Sequence, residues 1–501
     1  MSPLDNITHT EVVEQHRPWP RANVTNDGWH QSIGALAEGR CTLLGLWADA
    51  PDVHMALLDE SSGKLAVVTC VAKSGNYPSV ASRHPAANRL ERAIRDLSGL
   101  EAVGTSDVRP WLDLGFWAIR HPLGKKMPAR RQEPYTFLPA VGEALHQIPV
   151  GPVHAGIIEP GHFRFSANGE HVVRLEQRLG WVHKGIESLM AGSVLEDAAK
   201  LAARTSGDST VAISFAFAQA AEAALQMKIP PRAAYLRALM AELERLANHF
   251  GDIGAICNDA SFSLMHAQCG ILRERTLRAA GASFGHRLMM DAIVPGGVAQ
   301  DPAPEGVTQI RALIGEVRRV FPRLIELYDN TASLQDRTVS TGIVKPDFAR
   351  QFGAGGYVGR ASGRAFDARR AIAYAPYDRL TFDVPVLETG DVNARVWIRI
   401  REVDQSLSLI EQILDNLPNG AILTTIGKSK ACEGIALVEA FRGDVMVWLR
   451  LDGRGRIARC HIRDASWFQW PLLEAAIEGN IVADFPICNK SFNCSYSGHD
   501  L

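Results

Sequence analysis

The chain has 501 residues, of which 46% are hydrophobic and 22% charged, and its formal net charge is −2. These values are ordinary for a globular protein with room for two to four domains, and nothing in them indicates a nucleic-acid partner. The sequence contains no run of about 18 or more apolar residues, so no membrane span is predicted. Residues 1–5 also lack the basic and apolar stretches of a secretory signal.

The eight cysteines are scattered along the chain, and none forms a Cys-x-x-Cys pair. This pattern favours free thiols in a reducing cytosol over a disulfide framework. It predicts that this chain alone holds no iron–sulfur cluster and no structural zinc.

Residues 1–120 are predicted to form a small α/β domain. Three short apolar runs, broken by Asp, Pro, Ser and Gly, predict a meander of strands at 41–47, 53–58 and 65–71. Residues 85–97 predict a helix that begins near Pro85 and ends before Gly99. Glu91 and Arg95 are spaced for an ion pair on its charged face, which we expect to be exposed to solvent.

Residues 121–150 are predicted to be a linker because five prolines interrupt them. A basic cluster at 125–131 lies between these prolines. Its charges are expected to be solvated, and contact with anionic lipid headgroups is the alternative.

Residues 151–501 are predicted to form a mainly helical domain. Apolar residues recur at helical spacing in segments 196–225, 232–250, 267–284, 305–328 and 403–417, and Gly251 is expected to end the second of these helices. Residues 445–451 and 457–462 alternate around Asp452-Gly453, which predicts a hairpin. The fold class is therefore α+β: a small α/β domain followed by a helical domain with peripheral β-hairpins.

Seven motifs of this domain stand in the order of one known family. They read GPVHAGIIEPGHFRF, RLGWVHKGIESLM, ELERLANHFGDIGAICND, FGHRLMMDAIVPGGV, GRASGRAFDARR, GDVNARVWIRIREVDQSLSLIEQIL and EAFRGD. In this order they resemble the large-subunit family of membrane-bound, energy-converting nickel–iron hydrogenases of the hydrogenase-4 and formate hydrogenlyase type. The same family includes the quinone-reducing, 49-kDa-type subunit of complex I. The N-terminal segment HPAANRLERAIRDLSGLEAVG resembles the docking helix of the 30-kDa-type subunit of complex I.

The resemblance places serines where the hydrogenases have two metal-ligating cysteines. In Arg204-Thr205-Ser206-Gly207-Asp208-Ser209 the ligand positions of Arg-x-Cys-Gly-x-Cys fall on Ser206 and Ser209. The second cysteine pair falls on Cys494 and Ser497 or, in another register, on Cys488 and Ser491. At most one thiolate remains, and a hydroxyl cannot replace a thiolate as a soft ligand. The expectation is a degenerate site without nickel and no metal bound by this chain.

The resemblance to complex I is also incomplete. The tyrosine that meets the quinone in that subunit falls on Gly207 here. His154 matches the first of two family histidines, whereas His162 stands in a different register from the second. The quinone chemistry of the family therefore cannot be transferred residue by residue.

Other family positions are retained. Glu187 matches a hydrogenase glutamate that carries protons, so the resemblance implies a proton relay through it. The alternative is a simple ion pair between Glu187 and Lys184. His183 is either a second proton carrier or a structural residue. Arg360 and Arg442 match arginines that line the family's cavity. Asp208 and Asp500 could add carboxylates, although Asp500 at the end of the chain is expected to fray.

Three functions follow from the resemblance. The first is a subunit of a complex-I-like oxidoreductase that passes electrons from a partner's iron–sulfur cluster to a quinone-like or unknown acceptor, coupled to ion translocation. The second is a silent structural or coupling subunit, and the third, ranked last, is an active hydrogenase. The expected partners are a small iron–sulfur subunit and antiporter-like membrane subunits, with NAD linked only through the complex. The expected location is the cytoplasmic face of the inner membrane.

Overall fold

The computed structural model describes residues 3–5, 7–129, 134–142, 144–154, 158–427 and 430–501. The N-terminal part is a five-stranded sheet with two helices. Its strands run in the order β1-β3-β6-β5-β4, in which β4, β5 and β6 form the expected antiparallel meander and β3 is parallel to β6. The elements are β1 (His9–Val12), β2 (His16–Arg17), β3 (Arg21–Val24), α1 (Asn26–Ala37), β4 (Thr42–Asp49), β5 (Asp52–Asp59), β6 (Lys64–Val71), β7 (Asn76–Pro78), α2 (Asn88–Ser98) and β8 (Glu101–Val103).

Helix α2 corrects the expected exposure of its charged face. Glu91 is 3% exposed and accepts hydrogen bonds from Ser79 Oγ at 2.8 Å and from the Val80 amide at 2.6 Å. Arg95 pairs with Glu101 instead of Glu91. The expected pair on one helical face is therefore wrong, because the loop that precedes the helix folds over Glu91.

The segment expected to be a linker contributes strands. Strand β9 (Ile119–Arg120) pairs with β10 (Met127–Pro128), and β11 (Leu145–Val150) forms a three-stranded antiparallel sheet with β12 (His162–Asn168) and β13 (His171–Arg178). Residues 130, 131–133 and 143 lie outside the described residues. The part of the basic cluster that falls on 130 and 131 is therefore not described.

The C-terminal part is mainly helical. Its elements are α3 (Ile186–Met190), α4 (Leu195–Ala203), α5 (Thr210–Leu225), α6 (Pro231–Asp259), α7 (Ser263–Phe284), β14 (Ile293–Val294), β15 (Gly297–Val298), α8 (Pro304–Asn330), α9 (Ala332–Thr338), α10 (Pro346–Gln351), α11 (Gly356–Ala361), α12 (Ala368–Ala371), α13 (Val392–Asp415), β16 (Cys432–Ala440), β17 (Gly443–Leu451), β18 (Ile457–Arg463), α14 (Ser466–Ile477), α15 (Phe485–Phe492) and α16 (Tyr496–Asp500). Among the described residues, no helix combines the length and the apolar character needed to cross a bilayer.

Helix α5 lies at the centre of this part. It is rich in alanine and buried along nearly its whole length, and it packs against α4, α6, β16 and β17. Small side chains allow these elements to approach it closely, and Gly434 of β16 has no room for a Cβ because the Ala220 carbonyl oxygen would lie 1.9 Å away.

The expected hairpin is present, but it is not peripheral. Strands β17 and β18 pair on either side of Asp452-Gly453, and β16, β17 and β18 are buried almost throughout. Their sheet runs in the order β18-β17-β16-β2, so a strand of the N-terminal part completes it. The two parts of the chain therefore share a core, and mixed helices and strands confirm the α+β fold class.

Candidate functional site

The stretch 204–209 forms the turn between helices α4 and α5. Ser206 is extended, with φ −151° and ψ 128°, and residues Gly207–Ser209 make one 3-10 turn that leads directly into α5. Thr210 Oγ1 donates to the Ala203 carbonyl at 2.8 Å and closes this turn. The expected single helix over 196–225 is therefore two helices, and the break presents Ser206, Asp208 and Ser209 together.

Asp208 and Arg442 occupy the centre of this turn. Arg442 donates to both carboxylate oxygens of Asp208, at 3.0 and 2.6 Å, and to Ser209 Oγ at 3.0 Å. Ser206 Oγ donates to Asp208 Oδ1 at 2.6 Å, and Ser209 Oγ donates to the same oxygen at 3.3 Å. The pKa of Asp208 is lowered to about 2 because Arg442 and the two hydroxyls outweigh the cost of burial.

The end of the chain packs against this turn. Ser495 Oγ lies 3.3 Å from Ser206 Oγ, and Arg442 Nε donates to the Asn493 carbonyl. Asn493, which ends α15 with φ 44°, turns the chain so that Cys494 follows next to the cluster. Burial raises the pKa of the Cys494 thiol above its ordinary range. A neutral thiol is a poor metal ligand.

The other tail residues lie elsewhere. Ser491 Oγ accepts from Arg395 Nε at 2.9 Å, and Cys488 packs against Gly342. Ser497 donates its amide to Glu159 Oε2 at 3.1 Å. The structure thus brings Ser206, Ser209 and residues 493–495 together, and it does not add Cys488 or Ser491 to them.

The donor set of this cluster does not fit a nickel–iron centre. Both carboxylate oxygens of Asp208 accept from a guanidinium, which carries a positive charge that repels a metal cation. The remaining groups are hydroxyls and one neutral thiol, whereas nickel–iron chemistry needs soft thiolates. Among the described residues, no group of three or more His, Cys, Asp or Glu side chains is arranged to hold a metal ion.

Glu187, the proton carrier implied by the resemblance, forms a buried ion pair. Arg459 Nη1 lies 2.8 Å from Oε2, and His461 Nδ1 and the Ile462 amide lie 2.8 and 3.0 Å from Oε1. Arg459 and His461 lower the pKa of Glu187 to about 2 against the effect of burial. This favours a fixed anion over a group that takes up and releases protons near neutral pH. Lys184 Nζ donates instead to the Thr205 carbonyl at 2.9 Å, so the alternative pair of Lys184 with Glu187 is not formed.

Sequence reasoning missed Arg459 and His461. Both lie on β18 with Arg463, at every second position and therefore on one face of the strand. Three basic residues on one face of an otherwise apolar strand were a signal for a buried anion.

The residues around Asp500 are ordered. Asp500 is fully buried, and its Oδ2 accepts from the amides of Gly180 and Val182 at 2.9 and 3.1 Å. His183 Nδ1 lies 2.7 Å from the Asp500 carbonyl, and its ring stacks on Trp117 at 4.6 Å. The expected fraying of Asp500 is therefore wrong, and His183 has structural partners on both sides.

The two histidines of the β11–β12 hairpin also have backbone partners. His154 Nε2 lies 2.9 Å from the Gly161 carbonyl, and His162 Nδ1 lies 3.2 Å from the Gly151 carbonyl. Residues 155–157 lie outside the described residues.

Arg360 belongs to a buried ion network behind the turn. It donates to Glu402 Oε1 at 2.6 and 2.9 Å and to Glu439 Oε1 at 2.8 Å, and it is completely buried. His249 Nε2 lies 2.7 Å from the other oxygen of Glu402. The guanidinium is thus saturated by protein groups, in contrast to the cavity position that the resemblance implies.

Glu244 is a further carboxyl beside the turn. It accepts from the amides of Val211 and Ala212 at 2.7 and 3.1 Å, and burial raises its pKa to about 8. With Gly207 and Asp208 it lines a narrow cavity of about 20 Å³. Sequence reasoning passed over it, since an acidic residue in ELERL is typical of any amphipathic helix.

The chain is similar to known proteins over most of its length. The family model of the 49 Kd subunit of respiratory-chain NADH dehydrogenase matches residues 260–433 and 424–500, and that of the 30 Kd subunit matches residues 24–133. Formate hydrogenlyase subunit 5 of Escherichia coli (strain K12) is 32% identical over 86% of this chain and 78% of its own length. Hydrogenase-4 component G of the same strain is 32% identical over 95% of this chain and 84% of its own length. The chain belongs to the hydrogenase large-subunit and complex I 49-kDa-subunit family.

This member of the hydrogenase and complex I family joins a 30-kDa-type and a 49-kDa-type unit in one chain. It is similar in structure to a chain of the membrane-bound sulfane sulfur reductase, an archaeal respiratory membrane complex. The TM-score is 0.68 at 25% identity, over 72% of this chain and all of the other. The protein is therefore an oxidoreductase subunit of a membrane-associated, complex-I-like assembly.

Proposed function

We propose that this chain binds an acceptor other than protons near Ser206, and that the acceptor takes electrons directly from the iron–sulfur cluster of a small partner subunit, without nickel. The observation that carries this proposal is the Asp208–Arg442 pair between Ser206 and Ser209. The resemblance aligns Ser206 and Ser209 with thiolate positions of the hydrogenases, so under this proposal a salt bridge replaces the metal-binding thiolates. Transfer is coupled to ion translocation by antiporter-like membrane subunits.

The acceptor is a quinone-like molecule or another oxidant. The solved relative belongs to a sulfane sulfur reductase, so acceptors within this family extend beyond quinones and protons. Two residues of this chain next to the turn could act on the acceptor. Arg442 is a permanent cation, and Glu244 has a pKa that is raised to about 8. A cation stabilises negative charge that develops on a reduced acceptor, and a neutral carboxyl can deliver a proton to it.

A silent structural or coupling subunit is the second candidate. The closed hydrogen-bonded cluster and the narrow cavity beside Gly207 favour it, since neither leaves room for a large acceptor without rearrangement. Under this proposal the chain only shapes the complex and carries no electrons.

One experiment separates these functions. The complex is purified with its partner subunits, its nickel is quantified, and it is reduced chemically in the presence of a short-chain quinone, polysulfide or no acceptor. We expect less than about one nickel in ten complexes, no hydrogen evolution, and acceptor reduction that falls at least tenfold in Glu244→Gln.

The control uses one further variant. Glu305→Gln, on the surface at the start of α8, changes a distant exposed carboxyl and leaves turnover unchanged. No reduction of either acceptor, in the parent complex or in any variant, supports the silent subunit. One nickel per complex together with hydrogen evolution contradicts both proposals.

A further inference from the structure

A groove lies between the N-terminal unit and the β11–β13 sheet, away from the turn at 204–209. Its volume is about 640 Å³, within the range of small-molecule sites. The lining combines four arginines and four aromatic rings with a single carboxylate: Arg95, Arg109, Arg164, Arg178, Phe116, Tyr135, Phe137, Trp181 and Asp113. The groove therefore combines a net positive charge with flat apolar surfaces.

Two of the four arginines have compensating carboxylates. Arg109 pairs with Asp107 at 2.7 Å and with Glu176 at 2.5 Å, and Arg95 pairs with Glu101 at 3.0 Å. Arg164 and Arg178 differ from them. Throughout the described part of the chain, no carboxylate lies within 4.0 Å of either guanidinium, the limit for an ion pair.

Arg178 is a buried cation at the floor of the groove. It is 2% exposed, it donates from Nη1 to the Trp111 carbonyl, and its Nε has no hydrogen-bond partner. Burial lowers its pKa to about 10, and the charges of Asp96 and Asp500, which lie further away, offset this only in part. A buried charge without a counter-ion is costly, so the groove carries a positive potential that an anion would relieve.

Arg164 is the cation that an entering ligand can reach. It is partly exposed and donates to Gln147 Oε1 at 3.0 Å and to His162 Nε2 at 3.3 Å, which leaves donors of its fork for a ligand. Its guanidinium lies 4.4 Å from the centre of the Phe137 ring. Phe137 packs edge-on against Tyr135 at 5.0 Å, and Phe116 is 68% exposed at the same groove. Exposed rings of this kind stack on planar groups.

We infer that this groove binds a small anion that carries a planar aromatic ring, of the nucleoside monophosphate class. The phosphate accepts hydrogen bonds from Arg164, and the positive charge of the buried Arg178 attracts it. The base stacks against Phe137 and Phe116. This site is separate from the proposed electron-transfer function, and it requires neither nickel nor a particular acceptor.

The test is calorimetric titration of the full chain with AMP, adenosine and inorganic phosphate. We expect saturable binding of one AMP per chain, and binding at least tenfold weaker for adenosine, which lacks the charge, and for phosphate, which lacks the ring. Arg164→Gln and Phe137→Ala each weaken AMP binding at least tenfold, while circular dichroism and the melting temperature show that both variants are folded.

The matched control is Arg174→Gln. Arg174 lies on the neighbouring strand β13, is equally half-buried and donates to the Pro139 carbonyl, but it does not line the groove. Its variant binds AMP like the parent chain. The inference is overturned if no AMP binding is detected, or if binding survives both Arg164→Gln and Phe137→Ala. Protection of Phe116 by a partner subunit without AMP binding would reassign the groove to a protein contact.

Discussion

Among single residues, Asp208 determines what the turn at 204–209 can do. Its carboxylate joins Ser206, Ser209 and Arg442 in one hydrogen-bonded unit. Ser206, Ser209 and Arg442 are buried, and their polar groups find partners in the half-buried carboxylate of Asp208. The turn is therefore held by polar contacts within the protein and needs no external ligand to keep its shape.

Replacement of Asp208 by asparagine leaves Arg442 as a buried cation without a counter-charge. We expect the free energy of unfolding to fall by about 2 kcal/mol. Arg442 is buried and would lose its counter-charge, but the Asp208 side chain is 36% exposed, so solvent screens part of the cost. Urea denaturation of the full chain measures the loss. Ser209→Ala is the control, since it removes hydrogen bonds from the same cluster without unbalancing its charge, and it costs about 1 kcal/mol. Equal losses in the two variants would show that the charge pair has no special role.

Glu187→Gln tests whether this carboxyl is a fixed anion. Its pKa is lowered to about 2 in the folded chain, against about 4.3 in an unfolded one. The stabilisation from Glu187 is therefore present above pH 4.3 and is lost as the pH falls towards 2. We expect the parent and the variant to differ in unfolding free energy at pH 6 and to converge only as the pH approaches 2. Convergence already near pH 7 would instead indicate a carboxyl poised to exchange protons.

Only part of the site could be predicted at this scale. The positions of Ser206, Ser209 and Glu187 follow from motifs that are contiguous in the sequence. The partners of Glu187 do not, because His461 is 274 residues further along the chain and only the fold brings them together. Likewise, the ion pair of Asp208 with Arg442 spans 234 residues. Short motifs identify the positions of the site residues. The residues that neutralise the charges of Glu187 and Asp208 are distant in sequence, so they depend on the fold.

Among the helices and strands, most were predicted in the right place, and the errors have physical causes. Gly251 was expected to end a helix, but α6 continues to Asp259. A Cβ at Gly251 would lie only 3.0 Å from Arg273 Cδ, so this glycine permits close packing of α7. The hairpin β17–β18 was expected at the periphery because alternation typically indicates one solvated face. Here the other face is covered by the N-terminal sheet, a partner that the local pattern cannot reveal.

The contact of β16 with α5 gives an element-scale prediction. Gly434→Ala would place a methyl group 1.9 Å from the Ala220 carbonyl oxygen of α5. Neither backbone can withdraw without disturbing the central helix, so we expect a loss of about 2–3 kcal/mol in stability. Thermal unfolding checks it. Gly453→Ala at the tip of the β17–β18 hairpin meets no atom within 4 Å and should leave the melting temperature within about a degree. A similar shift for both variants would contradict close packing at Gly434.

In the molecule as a whole, the two family units form one folded body. Arg21 of the N-terminal unit makes a double hydrogen bond with Glu433 of the C-terminal unit, at 2.8 and 2.9 Å. Strand β2 extends the C-terminal sheet, and a buried hydrophobic cluster contains residues of both units. The family resemblance predicted two units, but it gave no measure of how much apolar surface they share.

Separation of the units should therefore fail. A fragment of residues 1–120 would expose the apolar face of its sheet. This face includes Leu44, Trp47 and Leu58, which are at most 2% exposed in the full chain. Produced alone, this fragment is expected to aggregate. Produced together with residues 134–501, it is expected to remain soluble and to co-purify with them. Size-exclusion chromatography measures this. A soluble, monomeric fragment with native circular dichroism would contradict the shared core.

The rings at this junction also provide an optical reporter. Trp47 of the N-terminal sheet and Trp448 of β17 have ring centroids 5.5 Å apart, and His54 and His461 flank them. Indole emission depends on the local polarity and on nearby quenching groups. If a partner subunit or a change of redox state were to part the two sheets even slightly, water would reach both indoles and their fluorescence would move to longer wavelengths. The protein thus carries its own probe of motion between its halves, and Trp448→Phe would identify the signal.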